Sequence, residues 1–425
     1  ILTMSKKIQA IRGMNDLLPK DSDLWLAIEK IINETLISYG YKNVRTPIVE
    51  NTETFCRAIG EVTDIVEKEM YTWKDLSGES ITLRPEGTAG IVRMMIEHNL
   101  PREGVQRVFY QGPMFRHERP QKGRYRQFYQ VGVEVFGASN AKIDAELIDM
   151  SALIWKKIGL NNVRLEINSL GSSESRSNYR ELLKQYFSDN KSQLDEDSMR
   201  RLNTNPLRIL DSKNKGMATL IAQAPKIIDY LDEESEQHFL EFKEYLDNLA
   251  IEYAINPGLV RGLDYYNRTV FEWISNDLGS QGTICGGGRY DGLVEKMGGK
   301  PVPATGFAMG IERLVLLAKE QPEKVQQERL SLYFIALGRK AQKASMKISR
   351  DVHHALPDIV LTNDITLGSL KSQMKKADKS EADYALILGD EELKSNKITV
   401  KPLKGQGEQQ LISLEGIIQH LQETL

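Results

Sequence analysis

Between residues 107 and 126 the chain sets Arg107, Arg116, Arg119, Lys122, Arg124 and Arg126 against a single acid, Glu118. Over the whole chain acids outnumber bases, 59 to 56, for a net charge of −3. An isolated run of charge is usually a solvated loop. Here strand-like segments flank the run, and Pro113, Pro120 and Gly123 shape the turn between them. Cations held on a rigid hairpin suit a polyphosphate or a nucleic-acid end, since guanidinium groups pair with phosphate through two parallel hydrogen bonds. Because the protein as a whole is slightly acidic, any contact with nucleic acid must be local.

Other routes to nucleotide or metal chemistry fail on spacing. Gly286-Gly287-Gly288-Arg289-Tyr290-Asp291-Gly292 misses the Gly-x-Gly-x-x-Gly of a dinucleotide site. Gly298-Gly299-Lys300 lacks the upstream glycine and the following Ser/Thr of a phosphate-binding loop. The six histidines and two cysteines (Cys56 and Cys285) form no metal-ligand spacing, so no protein-held metal is expected. Two distant thiols make no disulfide framework either, and a reducing cytoplasm fits best.

These residues need elements to hold them. Leu24, Ile28, Ile31, Ile32 and Thr35 recur at helical spacing and predict a helix over Asp23–Tyr39, closed by Gly40. Val44–Val49 reads as a strand with Pro47 at an edge or end. Short strands dominate Ile81–Phe136, including Gln106–Gln111 and Arg126–Phe136. Leu259–Trp273 is strand-rich, and Gly306–Leu317 runs from a strand into a helix. Strands grouped with flanking helices predict an α+β domain on an antiparallel sheet. The charged, Asn/Ser-rich stretch 172–250 reads as a helical insertion, and Lys319–Glu328 as a boundary. Beyond it, strands (Leu330–Leu337, Asp358–Thr362, Tyr384–Leu388) alternate with helices (Gln342–Ala355, Ser369–Ser380), which predicts a small α/β domain with a partly parallel sheet. Ile1–Thr3, ahead of Met4, read as a remnant preceding the start. No run is long and apolar enough to cross a bilayer, and Ile1–Lys7 lacks the apolar core of a secretory signal.

Two segments carry a family resemblance. Phe115-Arg116-His117-Glu118-Arg119, then Arg126-Gln127-Phe128, gives an arginine–glutamate pair followed by an arginine–aromatic strand. Gly306-Phe307-Ala308-Met309-Gly310-Ile311-Glu312-Arg313-Leu314 gives a glycine-rich strand entering a helix that bears an arginine. In this order they resemble motifs 2 and 3 of the class II aminoacyl-tRNA synthetases, and the helix and strand over 23–49 resemble motif 1, a dimer-interface element. Leu259-Val260-Arg261-Gly262-Leu263-Asp264-Tyr265-Tyr266-Asn267-Arg268, Gly286–Leu293 and Arg84-Pro85-Glu86-Gly87-Thr88 resemble signatures of the histidyl-tRNA synthetase family, bacterial type. The resemblance spans essentially the whole chain from Lys7. It implies a catalytic domain over 4–171 and 251–325, an insertion over 172–250, an α/β anticodon-binding domain over 326–425, and a homodimer.

The resemblance also implies roles. Histidine is joined to ATP as an adenylate and then passed to the 3′ end of histidine tRNA, with Mg²⁺ on the triphosphate. Arg116 and Arg261 act at the reacting centre; Arg116, Glu118, Arg124, Arg126, Phe128 and Arg313 bind ATP. Glu86, Gly87, Thr88, Gln130, Glu134, Tyr265 and Tyr266, with the two catalytic arginines, hold histidine. Arg119 and Gln121 meet the tRNA. Gln130 and Glu134 are four apart, so they project from one strand face. Tyr265 and Tyr266 read as successive strand residues, which face opposite sides, so at most one of them should line the site. Two rivals stay open. A catalytically silent, regulatory paralogue would tend to lose Arg116, Arg261 or Arg313. A class II enzyme for another amino acid should lack Leu263-Asp264-Tyr265-Tyr266.

Overall fold

A computed structural model describes residues 7–60, 63–210, 212, 214–325, 329–405 and 407–424. The remnant expected at 1–3 and the last part of the boundary expected at 319–328 lie outside them. The chain divides into two compact units, Ile1–Gln326 and Gln327–Leu425.

The first unit opens with α1 (Pro19–Ser38). It starts four residues earlier than its apolar spacing predicts, because proline at the first helical position gives up an N–H that has no partner there anyway. Then come β1 (Lys42–Asn43), β2 (Val49–Asn51), α2 (Thr52–Ile59), β3 (Tyr71–Lys74), β4 (Ser80–Leu83) and α3 (Thr88–Glu97). The strand expected over Val44–Val49 is not one strand. Residues 44–48, with Pro47 among them, belong to no strand, and the flanking pieces join different sheets. β1 pairs parallel with β5 (Gln106–Phe115), while β2 lies beside β4 and β3 in a three-stranded sheet.

Next come β6 (Gln127–Phe136), α4 (Ala141–Ile158) and β7 (Val163–Ser169). Residues 172–250 fold mainly as helices, α5 (Ser173–Asp189), α6 (Glu196–Thr204), α7 (Ala218–Ala222) and α8 (Glu233–Asn248). The chain returns through β8 (Ala254–Ile255), β9 (Asn267–Ser275), β10 (Thr283–Arg289), α9 (Leu293–Lys296), β11 (Ala304–Gly310) and α10 (Ile311–Ala318). The eight-stranded sheet has the order β1-β5-β6-β11-β10-β9-β7-β8. Its six central strands are antiparallel, and the two-residue edge strands add on in parallel.

Alternation along the strands separates core from site. Val131, Val133 and Val135 of β6, Phe307 and Met309 of β11, and Phe271 and Trp273 of β9 pack in one cluster with α1, α4 and α8. Gln130 and Glu134 of β6, and Gly306, Ala308 and Gly310 of β11, line a cavity. Small residues on that face leave room above the sheet. One buried polar link ties insertion to sheet: Asp144 of α4 bonds the ring of His238 on α8 and the Nε of Arg289 on β10, each at 2.8 Å.

The second unit is a five-stranded sheet, β12 (Ser331–Ala336), β13 (Val360–Asn363), β14 (Tyr384–Leu388), β15 (Lys397–Pro402) and β16 (Gln410–Ser413), in the order β13-β12-β14-β15-β16. The first three strands are parallel, the last two pairings antiparallel. Its helices are α11 (Arg339–Ala355), α12 (Leu370–Lys379), α13 (Asp390–Lys394) and α14 (Ile417–Thr424).

Candidate active site

The cavity over the central strands encloses about 280 Å³ and draws its walls from β5, β6, β10, β11, the start of α3, the β5–β6 hairpin and the turn before β9. One part of it is acidic and aromatic. Glu134 is 1% exposed. Its carboxylate accepts from Thr88 Oγ1 at 2.8 Å and from the hydroxyl of Tyr290. Burial pushes the Glu134 carboxyl up to about 8; the bonds from Tyr290 and Thr88 pull the other way, and nearby Glu86 adds to the rise. Glu86, also buried, accepts from the backbone N–H of Thr88 (2.7 Å) and Ala89 (2.9 Å), where α3 leaves donors unpaired. Burial raises its carboxyl too, against those two backbone bonds.

Tyr265 and Tyr266 both line the cavity, their rings 4.7 Å apart. The expectation that at most one would do so fails because β9 begins only at Asn267. The pair sits in the preceding turn, where strand alternation has no force. Burial lifts the hydroxyls of Tyr110, Tyr265 and Tyr290 well above their ordinary range, so they stay protonated hydrogen-bond donors.

The other part is cationic. Arg116 donates from Nε to Pro85 O (2.8 Å) and lies over the Phe128 ring, 5.2 Å from its centre. Arg124 pairs with Glu118, and Arg313 donates from Nε to Gly123 O (3.2 Å) in the hairpin. Burial depresses all three guanidiniums, and neighbouring arginines depress Arg124 and Arg313 further. Mutually repelling cations kept together mark a place for a polyanion. Arg261 stands across the cavity, paired with Glu272 and set over the Tyr266 ring at 5.4 Å. Burial works against its charge, but Glu272 and the tyrosines outweigh that and hold it firmly protonated.

Most residues expected at the site meet here: Glu86, Thr88, Arg116, Glu118, Arg124, Phe128, Gln130, Glu134, Arg261, Tyr265, Tyr266 and Arg313. Four do not line the cavity. A side-chain carbon on Gly87 would collide with the ring of Tyr110, so its bareness serves that ring, which takes the place on the wall. Arg126 braces the hairpin, its Nε on Glu118 O (3.1 Å) and its N–H on Gly13 O (2.8 Å). Arg119 and Gln121 are exposed in the hairpin, Gln121 bridged to Arg124. The residues missed are Tyr110, Tyr290, Glu272 and Glu312. Tyr290 stands inside the Gly286–Leu293 segment, while Tyr110 gives no signal beyond facing Gly132 across the β5–β6 ladder, where a bare backbone leaves space for its ring. Glu312 accepts the Tyr129 N–H with both oxygens (2.8 and 3.0 Å), extending the β11–β6 ladder past Gly310, and burial raises its carboxyl to about 7.

An antiparallel sheet with arginines from a hairpin, a turn and a helix start converging over its bare-backbone face is the catalytic architecture of a class II synthetase. A family model described as histidyl-tRNA synthetase matches residues 13–314, and one described as anticodon binding domain matches residues 332–424. The chain belongs to the histidyl-tRNA synthetase family. It is 65% identical to a histidine–tRNA ligase of Ruthia magnifica subsp. Calyptogena magnifica, over 99% of this chain and all of that one. It is 63% identical to the histidine–tRNA ligase of Vesicomyosocius okutanii subsp. Calyptogena okutanii, with the same coverage. Among solved structures, apo S. aureus histidyl-tRNA synthetase matches with a TM-score of 0.80 at 39% identity, over 97% of this chain and 99% of that one.

Proposed function

We propose that this protein ligates L-histidine to the 3′ end of histidine tRNA, using ATP and passing through histidyl-adenylate. In the first step the histidine carboxylate attacks the α-phosphorus of ATP and pyrophosphate leaves. An α-carboxyl with a pKa of about 3.5 is already ionised at neutral pH, so no general base is needed. The obstacle is anion meeting anion, which positioning and fixed positive charge must overcome. The observation that carries the reading is the convergence of Arg116, Arg124, Arg261 and Arg313 on one cavity beside the pocket of Glu86 and Glu134.

Arg116 grips the α-phosphate, Arg313 the γ-phosphate, and Arg261 comes to the reacting phosphorus and carboxylate from the opposite wall. Glu86 takes the α-ammonium of histidine. Glu134 and Tyr266 take the imidazole nitrogens, with Gln130 beside them. Mg²⁺ on the triphosphate would offset part of its charge. Among the described residues no cluster of three or more His, Cys, Asp or Glu could hold a metal alone. Glu118, a carboxylate on the cavity wall, would be the residue to help hold the ion.

In the second step the 3′-hydroxyl of the tRNA attacks the activated carboxyl and AMP leaves; the residues do not single out a base, and a phosphate oxygen of the adenylate is one option for it. Arg119 and Gln121, exposed in the hairpin, meet the acceptor end, and the second unit meets the anticodon. The protein works as a cytoplasmic homodimer. No described helix is long and apolar enough to cross a membrane.

The test is exchange of labelled pyrophosphate into ATP, with histidine and each other amino acid in turn. Exchange that requires histidine supports the reading. Absence of exchange, or exchange driven by another amino acid, overturns it.

A further inference from the structure

Arg261, Tyr265 and Tyr266 stand on a segment, residues 261–266, that belongs to no helix or strand. Its backbone groups still need partners. The eight-stranded sheet's own domain gives a loose tie, Asp264 N–H to Ile59 O at 3.4 Å. The helical insertion gives closer ones. Arg176, in the first turn of α5, donates through one terminal guanidinium nitrogen to Asp264 O (2.8 Å) and Tyr266 O (2.7 Å). Its other terminal nitrogen is 4.0 Å from the Asp264 carboxylate. Asn205, at the end of α6, donates to Asp264 Oδ1 (2.9 Å), and Arg208 donates to Gly262 O (2.9 Å).

We infer that the insertion sets the active-site geometry: Arg176, aided by Asn205 and Arg208, is a positioning residue that fixes segment 261–266 and so aims Arg261 and the tyrosine pair. The inference rests on the function proposed above. A rigid clamp needs a rigid mount, and α5 has one. Asp232 accepts from Ser172 N–H (3.3 Å) and Ser175 Oγ (2.6 Å) at the start of α5, and from Ser235 N–H (2.9 Å) at the start of α8. One carboxylate thus sits at two helix N-termini, where their dipoles favour negative charge. Arg176 leaves α5 within a turn of that anchor. It cannot follow the segment if the segment shifts; the segment must follow it.

The three ties differ in weight. Those of Arg176 are partly shielded and charge-assisted, and losing them leaves two carbonyls unpaired beside the cavity. That of Arg208 lies at the surface and counts for less. None of the three residues has a place in the proposed contacts with histidine or ATP, so replacing them tests geometry alone.

Histidine-dependent pyrophosphate exchange on the full chain, with KM for each substrate and kcat measured separately, decides the matter. In Arg176→Ala the histidine KM is expected to rise and kcat to fall, each roughly tenfold or more, the loss one charge-assisted hydrogen bond would give. The ATP KM stays within about twofold, and Arg176→Lys recovers part of the loss. Arg208→Ala follows the same pattern more weakly. Should Arg176→Ala melt below assay temperature, the double variant Asn205→Ala/Arg208→Ala carries the test, with the same split expected. Unchanged histidine KM and kcat in a folded variant, or equal losses for both substrates, overturns the clamp. A wild-type protein without histidine-dependent exchange overturns the functional reading itself, so the two failures are told apart.

Discussion

Glu134 is the residue on which we propose that amino-acid choice turns, and its environment makes two predictions. Replacing it with Gln keeps size and one acceptor oxygen but removes the charge that holds a ring N–H. The histidine KM in exchange assays should rise by about ten- to a hundredfold, as for a lost charge-assisted bond, with the ATP KM nearly unchanged. Equal rises for both substrates would refute the assignment. The second prediction concerns the ligand-free protein. Burial raises the Glu134 carboxyl to about 8, so the folded state holds a proton there that the unfolded chain gives up near pH 4.5. Between those values the folded state binds more protons than the unfolded one, so this carboxyl's contribution to stability falls as pH rises and is spent above about 8. In Glu134→Gln that loss is absent. Its Tm relative to wild type should therefore climb from pH 5 to pH 8 and then level off. A difference that stays flat would mean the carboxyl is ionised in the free protein. The sequence gives the residue and its strand face but not this state, which depends on Thr88, Tyr290 and Glu86 arriving from three other segments.

At the scale of elements, β10 separates two uses of a bare backbone. A side-chain carbon on Gly287 would meet the backbone of Gly306 and Phe307 on β11, whereas the atoms nearest to one on Gly286 are those of the Arg261 guanidinium. Backbone cannot yield without breaking the ladder, but a long side chain can swing. Gly286→Ala should thus fold with a Tm near wild type and lose exchange activity by about a hundredfold, the scale of removing a preorganised charge from a transition state. Gly287→Ala should fail first in stability, read as a lower Tm or insoluble expression. If Gly286→Ala exchanges at full rate, Arg261 has no need of its present place. Long alternating strands such as β6 and β11 were legible because one face must be apolar. Short pieces were not. Val44–Val49 is apolar enough for a strand, yet Pro47 donates no bond and its flanks serve two sheets. Tyr265 and Tyr266 have the composition of a strand, but contacts from the insertion, silent in local spacing, hold them in a turn. β15 and β16, at the end of the second unit, give no such signal: polar residues interrupt Lys397–Pro402 and Gln410–Ser413, and each is stable only beside its neighbour.

For the whole molecule, charge says little, because the acidic total hides a local run of cations and the second unit, from Ser331 on, is nearly balanced with 13 basic and 12 acidic residues. Apolar exposure says more. α1 turns Leu24, Ile28, Ile32 and Leu36 inward, yet Leu26 is 61% and Ile37 60% exposed on the same helix. Leu17, Leu18, Ile48 and Val49 are also exposed, all within the first fifty residues. Scattered exposed apolar residues need no explanation, but a concentration in one stretch calls for a cover. In a sequence, residues that face a second copy look the same as residues that face the chain's own core, so periodicity counted the inner face of α1 and passed over the outer one. This helix and the residues after it resemble a dimer-interface element, and we propose that a second copy of the chain is the cover. Sedimentation at micromolar concentration should give twice the chain mass. Leu26→Glu combined with Ile37→Glu, each at a site where glutamate is a good helix former, should shift the protein to single-chain mass while circular dichroism stays unchanged. Exchange activity should fall with it, because Trp25 and Leu26 line a second cavity together with Tyr125 and Glu312, which also line the active site. A wild-type protein that sediments as one chain, or a charged variant that remains paired, would place the partner surface elsewhere.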